Sequence, residues 1–145
     1  MAAVYALDTS CMIAAVCGWH QQHRSAAAEI ERRFGRGERL AVAAHALSEA
    51  YAVLTRQPAP HRLAAADAWE LLQANFTNGV LLVALSAHEH VALLRRLAKS
   101  GVTGGRTYDA IIVECAVRAR ASALLTFNAR HFEPAPKDLA IVVPS

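Results

Sequence analysis

Three carboxylates, Asp8, Glu49 and Asp109, lie far apart in this chain, and each stands where an acid can do chemistry. Asp8 ends the short apolar run Ala3 to Leu7 and is followed at once by Thr9 and Ser10. Glu49 falls early in an amphipathic stretch from His45 to Arg56, and Asp109 early in another from Thr107 to Arg120. Brought together, the three suit a hard divalent cation. Mg2+ takes oxygen ligands, uses one or a few carboxylates, keeps several waters and bridges to phosphates. An ion held in this way activates a water and offsets the charge that builds on a phosphodiester during in-line attack. Singly, each acid has a plainer account: Asp8 as a helix cap, Glu49 as a solvated helix residue, Asp109 as a first-turn acid favoured by the helix dipole. Convergence at one place is what carries the functional reading.

Whether they converge depends on the elements that hold them. Ala3 to Leu7 reads as a buried strand running into a helix at Cys11 to Gly18, with Asp8, Thr9 and Ser10 able to cap it. Gln21 to Phe34 reads as a helix closed by Gly35-Arg36-Gly37, and Leu40 to Ala43 as a second strand. His45 to Arg56 is a helix with Leu47, Ala50, Tyr51 and Leu54 on its buried face. Arg62 to Asn75 is another, carrying Leu63, Ala66, Trp69 and Leu72 at intervals of three. Val80 to Leu85 is strand three, Ser86 caps a helix to Lys99, and Thr107 caps one through Arg120. Ala123 to Thr126 and Ala140 to Val143 are strands four and five.

Nearly all-apolar strands separated by helices specify a parallel sheet covered on both faces, here a three-layer α/β/α sandwich with four to five strands. Function in such a sheet gathers at the carboxyl ends of the strands. Asp8 ends strand one and Thr126 to Asn128 end strand four. Asp109 opens the helix leading into strand four, and Glu49 lies early in the helix after strand two, so all are expected at one edge.

At 145 residues the chain is expected to be one domain, 1–145. Hydrophobic residues make up 54% and mean hydropathy is +0.22, which excludes disordered and collagen-like classes. Lys and Arg exceed Asp and Glu by 15 to 12, giving +3, which a polyanionic partner would suit and the Arg- and Ala-rich usage of a GC-rich genome would equally produce. Cys11, Cys17 and Cys115 sit among apolar neighbours without C-x-x-C spacing, so no disulfide frame or thiolate zinc site is expected and a reducing cytoplasm fits. No secretory opening and no membrane span is read.

The wording around the acids is more specific than their spacing. A-L-D-T-S at Ala6 to Ser10, A-L-S-E-A-Y-A-V-L-T-R at Ala46 to Arg56, T-Y-D-A-I-I-V-E-C-A at Thr107 to Ala116 and L-L-T-F-N-A-R-H-F at Leu124 to Phe132 follow one another over nearly the whole chain. In order and spacing they resemble the PIN-domain family and, within it, the VapC-type toxins of toxin-antitoxin pairs. That resemblance implies an Mg2+- or Mn2+-dependent endoribonuclease that cuts cellular RNA, is held inactive by a VapB-type antitoxin, and forms a homodimer. Carried over by motif position, Asp8, Glu49 and Asp109 bind the metal, Ser10 and Thr126 orient the site, and Asn128 positions a carboxylate, water or phosphate. Where family members often carry a fourth acid, this chain has Asn128 and then His131. An amide and an imidazole are poor Mg2+ ligands, so a second metal is expected only with RNA phosphates present.

Other residues carry weaker signals. His131 reads as a residue of a surface turn, with proton donation to a leaving oxygen as its functional alternative. His20, His23, His88 and His90 read as structural. Arg32, Arg33, Arg36 and Arg39, and Arg95, Arg96, Lys99 and Arg106, suit RNA phosphates, an acidic antitoxin tail or simply solvated helix faces. Trp19 and Trp69 could stack on bases, with Trp69 expected in the core or at an interface. A haloacid dehalogenase-type phosphatase needs a second acid where Ser10 stands, and a receiver domain needs an acidic pair and a late lysine that are missing. The competing function is a catalytically inactive PIN-fold module that binds RNA or a protein.

Overall fold

The computed structural model describes residues 2–145. Five strands, β1 (Val4–Leu7), β2 (Arg39–Ala43), β3 (Leu81–Val83), β4 (Ala123–Leu125) and β5 (Ala140–Val142), form one sheet in the order β3-β2-β1-β4-β5. Every pairing is parallel, with Ala6 beside Ala41 on one side and Leu124 on the other. The chain thus begins in the middle of its sheet. It winds outward through β2 and β3, then returns to the other side of β1 for β4 and β5. The reversal between β1 and β4 is a topological switch point, where ligand crevices open in such sheets.

β1 can take the centre because its side chains are apolar on both faces, and Tyr5, Ala6 and Leu7 are all buried. Six helices cover the sheet: α1 (Thr9–Val16), α2 (His23–Gly35), α3 (Ala44–Arg56), α4 (Ala65–Phe76), α5 (Ala87–Ser100) and α6 (Arg106–Arg118), with a short 3-10 turn at Ala129–Phe132. The result is the three-layer α/β/α sandwich. Leu7, Met12, Val42, Leu54, Leu72, Leu124 and Leu125 are fully enclosed in its core, each worth roughly 1.5–3 kcal/mol of burial.

Local chemistry explains where elements begin. Ser86 and Glu89 form a reciprocal capping box at α5, which ends on Gly101 in the left-handed conformation (φ 74°). The expected Thr107 cap is not used. The amides of Thr107 and Tyr108 donate instead to the carbonyls of Gly104 and Gly105 (3.0 and 3.1 Å), so the glycine turn satisfies them and α6 starts at Arg106. α4 also begins later than its periodicity suggests, because the Leu63 amide donates to the Leu54 carbonyl (3.1 Å) and the Arg62 guanidinium to the Gln57 carbonyl (2.9 Å), holding that segment against the end of α3. Its buried stripe runs through Ala68, Leu72 and Phe76 at intervals of four, which turns Trp69 outward to 45% exposure.

Candidate active site

At the switch point β1 and β4 end side by side, and the Asp8 amide continues the ladder by donating to the Leu125 carbonyl (3.1 Å). Asp8 then leaves the sheet in extended backbone and caps α1, its Oδ1 accepting from the Cys11 amide (2.9 Å). Ser10 Oγ donates to the same oxygen (2.7 Å) and Thr126 Oγ1 to Oδ2. Those two hydroxyls also accept, Ser10 from the Phe127 amide (3.2 Å) and Thr126 from the Asn128 amide (2.9 Å). Ser10 and Thr126 therefore clamp Asp8 and the loop after β4 to one another.

Asp8 is only 4% exposed, and no cation faces it among its hydrogen-bond partners. Burial raises its pKa, the hydrogen bonds from Thr126, Cys11 and Ser10 pull the other way, and the charge of Glu49 adds to the rise. Glu49, on the second turn of α3, accepts from Thr9 Oγ1 (3.0 Å). Asp109, on the first turn of α6, is half-buried, and its pKa too is raised, first by burial, with His131 opposing and the charges of Asp8 and Glu49 reinforcing. Three acids from β1, α3 and α6 thus share one electrostatic neighbourhood.

Two of the weaker sequence signals change value here. His131 does lie in an exposed turn, and its Nδ1 is also 3.6 Å from Asp109 Oδ2. The basic residues are mostly occupied: Arg32 and Arg33 pair with Glu29, Arg33 and Arg36 with Glu38, and Arg96 and Arg118 with Glu114. Arg106 is the cation beside Asp109, its guanidinium donating to the Arg130 carbonyl (2.9 Å). Asn128 sits next to Ser10 along the edge but spends its backbone amide, not its side chain, on the clamp.

Sequence reasoning missed His45, Tyr108 and Thr9. The His45 ring stacks on Tyr108 (centroids 5.1 Å, 16° between planes), and its Nε2 is 3.4 Å from Glu49 Oε1, buried and without a hydrogen bond. The available signal was spacing: His45 is four residues before Glu49 and so shares its helix face, and Tyr108 adjoins Asp109.

The donor set fits a hard cation in kind. All three groups are carboxylates; Asp8 receives three hydrogen bonds against the roughly four lone-pair sites of a carboxylate, and burial, with a smaller contribution from neighbouring acids, raises Asp8 and Asp109. Among the described residues, no three His, Cys, Asp or Glu side chains are drawn close enough to hold an ion as they stand.

A doubly wound parallel sheet with acids at its switch point defines a class, and residues 5–137 match the PIN domain model: the chain belongs to the PIN domain family. Its relatives include ribonuclease VapC40 of Mycobacterium tuberculosis, 41% identical over 126 residues that cover 87% of each chain. Ribonuclease VapC27 of the same organism is 39% identical over 125 residues, 86% of this chain and 85% of that one. VapBC2 from Rickettsia felis, crystallised with a DNA fragment of its promoter, shares the fold with a TM-score of 0.68 at 19% identity, over 98% of this chain and 99% of that one.

Proposed function

We propose that this chain is the ribonuclease toxin of a toxin-antitoxin pair, hydrolysing RNA phosphodiesters with Mg2+ or Mn2+ held by Asp8, Glu49 and Asp109. The observation that carries this reading is a buried carboxylate with no cation, clamped by two hydroxyls at the switch point and sharing its field with two further acids. A divalent ion bound there supplies a nucleophilic water at neutral pH and charge stabilisation at phosphorus. The chain's own groups do the rest. Asp8 is held rigidly by Ser10 and Thr126, Glu49 is steadied by Thr9, and Asp109 faces His131, which stands where a proton can pass to a leaving oxygen. Asn128 offers its amide to a phosphate or water at the mouth.

RNA as substrate follows the ribonuclease relatives, and a VapB-type antitoxin as partner follows the VapBC assembly of the structural neighbour. A homodimer belongs to the same reading, as the family resemblance implies. So does a cytoplasmic location: Cys11, Cys17 and Cys115 are free and buried, and among the described residues no helix is long and apolar enough to cross a membrane.

The test is cleavage of total RNA by the purified, antitoxin-free protein with Mg2+, with Mn2+ and with EDTA, beside Asp8→Asn. Discrete fragments that need metal and vanish in Asp8→Asn are expected. Cleavage indifferent to EDTA or to that substitution would remove the metal-acid mechanism, and RNA binding without cleavage under any condition would leave the inactive module.

A further inference from the structure

Beside the acids, at Thr9 and Ser10, a cavity of about 460 Å3 opens, within the ~300–1,000 Å3 of small-molecule sites. Ser10 and Asn128 belong to both the acid edge and this cavity, which is walled further by Trp19, Phe127, Gln22 and Gln57. It contains no Asp, Glu, Lys or Arg. The geometry points to a nucleobase subsite: a pocket that receives an unpaired base of RNA next to the phosphodiester held at the acids. This deepens the nuclease reading and rests on it for the identity of the substrate.

Three observations converge on a base. The first is the aromatic wall. Trp19 is 46% exposed although it is a large apolar side chain, and it is not loose: His61 stacks on it at 4.1 Å with 19° between planes, and His20 leans on it at 5.8 Å. His61 is outside the cavity lining, so it braces the indole while Trp19 borders the open space. An indole held in one orientation by its neighbours is a pre-formed stacking surface.

The second is hydrogen-bonding capacity. Among the described residues, the hydrogen bonds of Gln22, Gln57 and Asn128 run through backbone atoms, Gln22 N–H to His20 Nδ1 (3.1 Å), Arg62 to the Gln57 carbonyl (2.9 Å) and Asn128 N–H to Thr126 Oγ1 (2.9 Å). Their side-chain amides, each both donor and acceptor, stay available for the polar edge of a base. The third is charge. A pocket lined by no lysine or arginine, with His20 turned onto Trp19 and accepting from the Gln22 amide, is a poor match for phosphate or carboxylate, whereas a flat, neutral ring with a polar rim matches aromatic and amide walls. Ser10, which lines the pocket and bonds to Asp8, sets that ring beside the acids, and single-stranded RNA offers such splayed bases where a duplex does not.

The test uses a protein carrying Asp8→Asn to prevent cleavage and Trp69→Phe to leave Trp19 as the one tryptophan. It is titrated with single-stranded homopolymers of A, C, G and U and with an abasic oligonucleotide of the same length, reading indole fluorescence. Saturable quenching by at least one homopolymer, and little by the abasic strand, is expected. In a second arm, Trp19→Ala added to that protein should weaken binding of labelled RNA on the order of tenfold and Trp19→Phe should recover most of it, while the same two substitutions in a protein that keeps Asp8 should leave Mn2+ binding unchanged. Equal quenching by abasic and base-bearing strands, or Trp19→Ala binding RNA as well as the parent, overturns the subsite. Quenching by a protein whose wild-type form never cleaves RNA supports the subsite while the nuclease reading fails, and metal-dependent cleavage without quenching does the reverse.

Discussion

Two acids are buried in this protein, and they are treated in opposite ways. Glu29, on α2, is 9% exposed and lies between the guanidinium groups of Arg32 and Arg33, with Arg33 also bonded to Glu38 and resting over the Tyr5 ring at 5.5 Å. Burial works to raise the Glu29 pKa, but the two arginines outweigh it and hold the group below its ordinary value. Asp8, buried more deeply, has only hydroxyls and a backbone amide, and burial keeps its pKa raised. The first acid is a finished structural element. The second is a charge the fold shelters without neutralising, which is how perturbed carboxylates at functional sites differ from those in ion-pair networks.

The sharpest way to break this contrast is Asp8→Asn. Cleavage should fall to background, yet the metal-free protein should melt at a higher temperature near neutral pH. A carboxyl whose folded pKa is raised costs stability as pH climbs from its unfolded value through its folded one, and an amide, an equally good cap, removes that cost. A lower melting temperature would show that Asp8 serves the fold first. Next in size, His45→Ala should reduce Mn2+ affinity roughly 10- to 100-fold by freeing Glu49, measured by titration calorimetry, with His45→Gln restoring part of it.

On the other side of the comparison, Glu29→Gln should destabilise the protein by about 1.5–3 kcal/mol in denaturant melts at neutral pH and leave RNA cleavage intact. Glu29 has a lowered pKa, so its stabilisation is present above the unfolded pKa and disappears as pH falls through the folded one. Wild type and Glu29→Gln should therefore converge in acid; a constant gap at all pH values would mean that packing, not charge, sets the effect. Smallest of all, Arg36→Ala removes the exposed partner of Glu38 and should cost no more than ~1 kcal/mol.

The acid edge was legible in the sequence because strand ends are legible. Leu7 and Leu125 close apolar runs, so the positions of Asp8 and Thr126 follow from hydrophobicity alone, and their neighbours in the motifs add Ser10 and Asn128. Asp109 and Glu49 followed from the order of elements. What escaped was whatever depends on the rotation of one helix against another. The His45–Tyr108 stack exists because α3 and α6 meet, which no local pattern announces. A core position for Trp69 failed for the same reason, since spacings of three and of four are both helical and packing chose four, while its interface alternative stands. Thr107 failed as a cap because a backbone turn reached its amide first.

The hydrogen bond between Thr126 and Asp8 joins residues 118 positions apart. On a translating ribosome Asp8 emerges well ahead of β4, and it waits while the residues between are made before its threonine arrives. Contacts of such long sequence separation form only when the sheet closes around them. A product that stops short of β4 therefore carries Asp8 without the threonine that helps to fix its carboxylate, so truncation leaves the acid made but unheld.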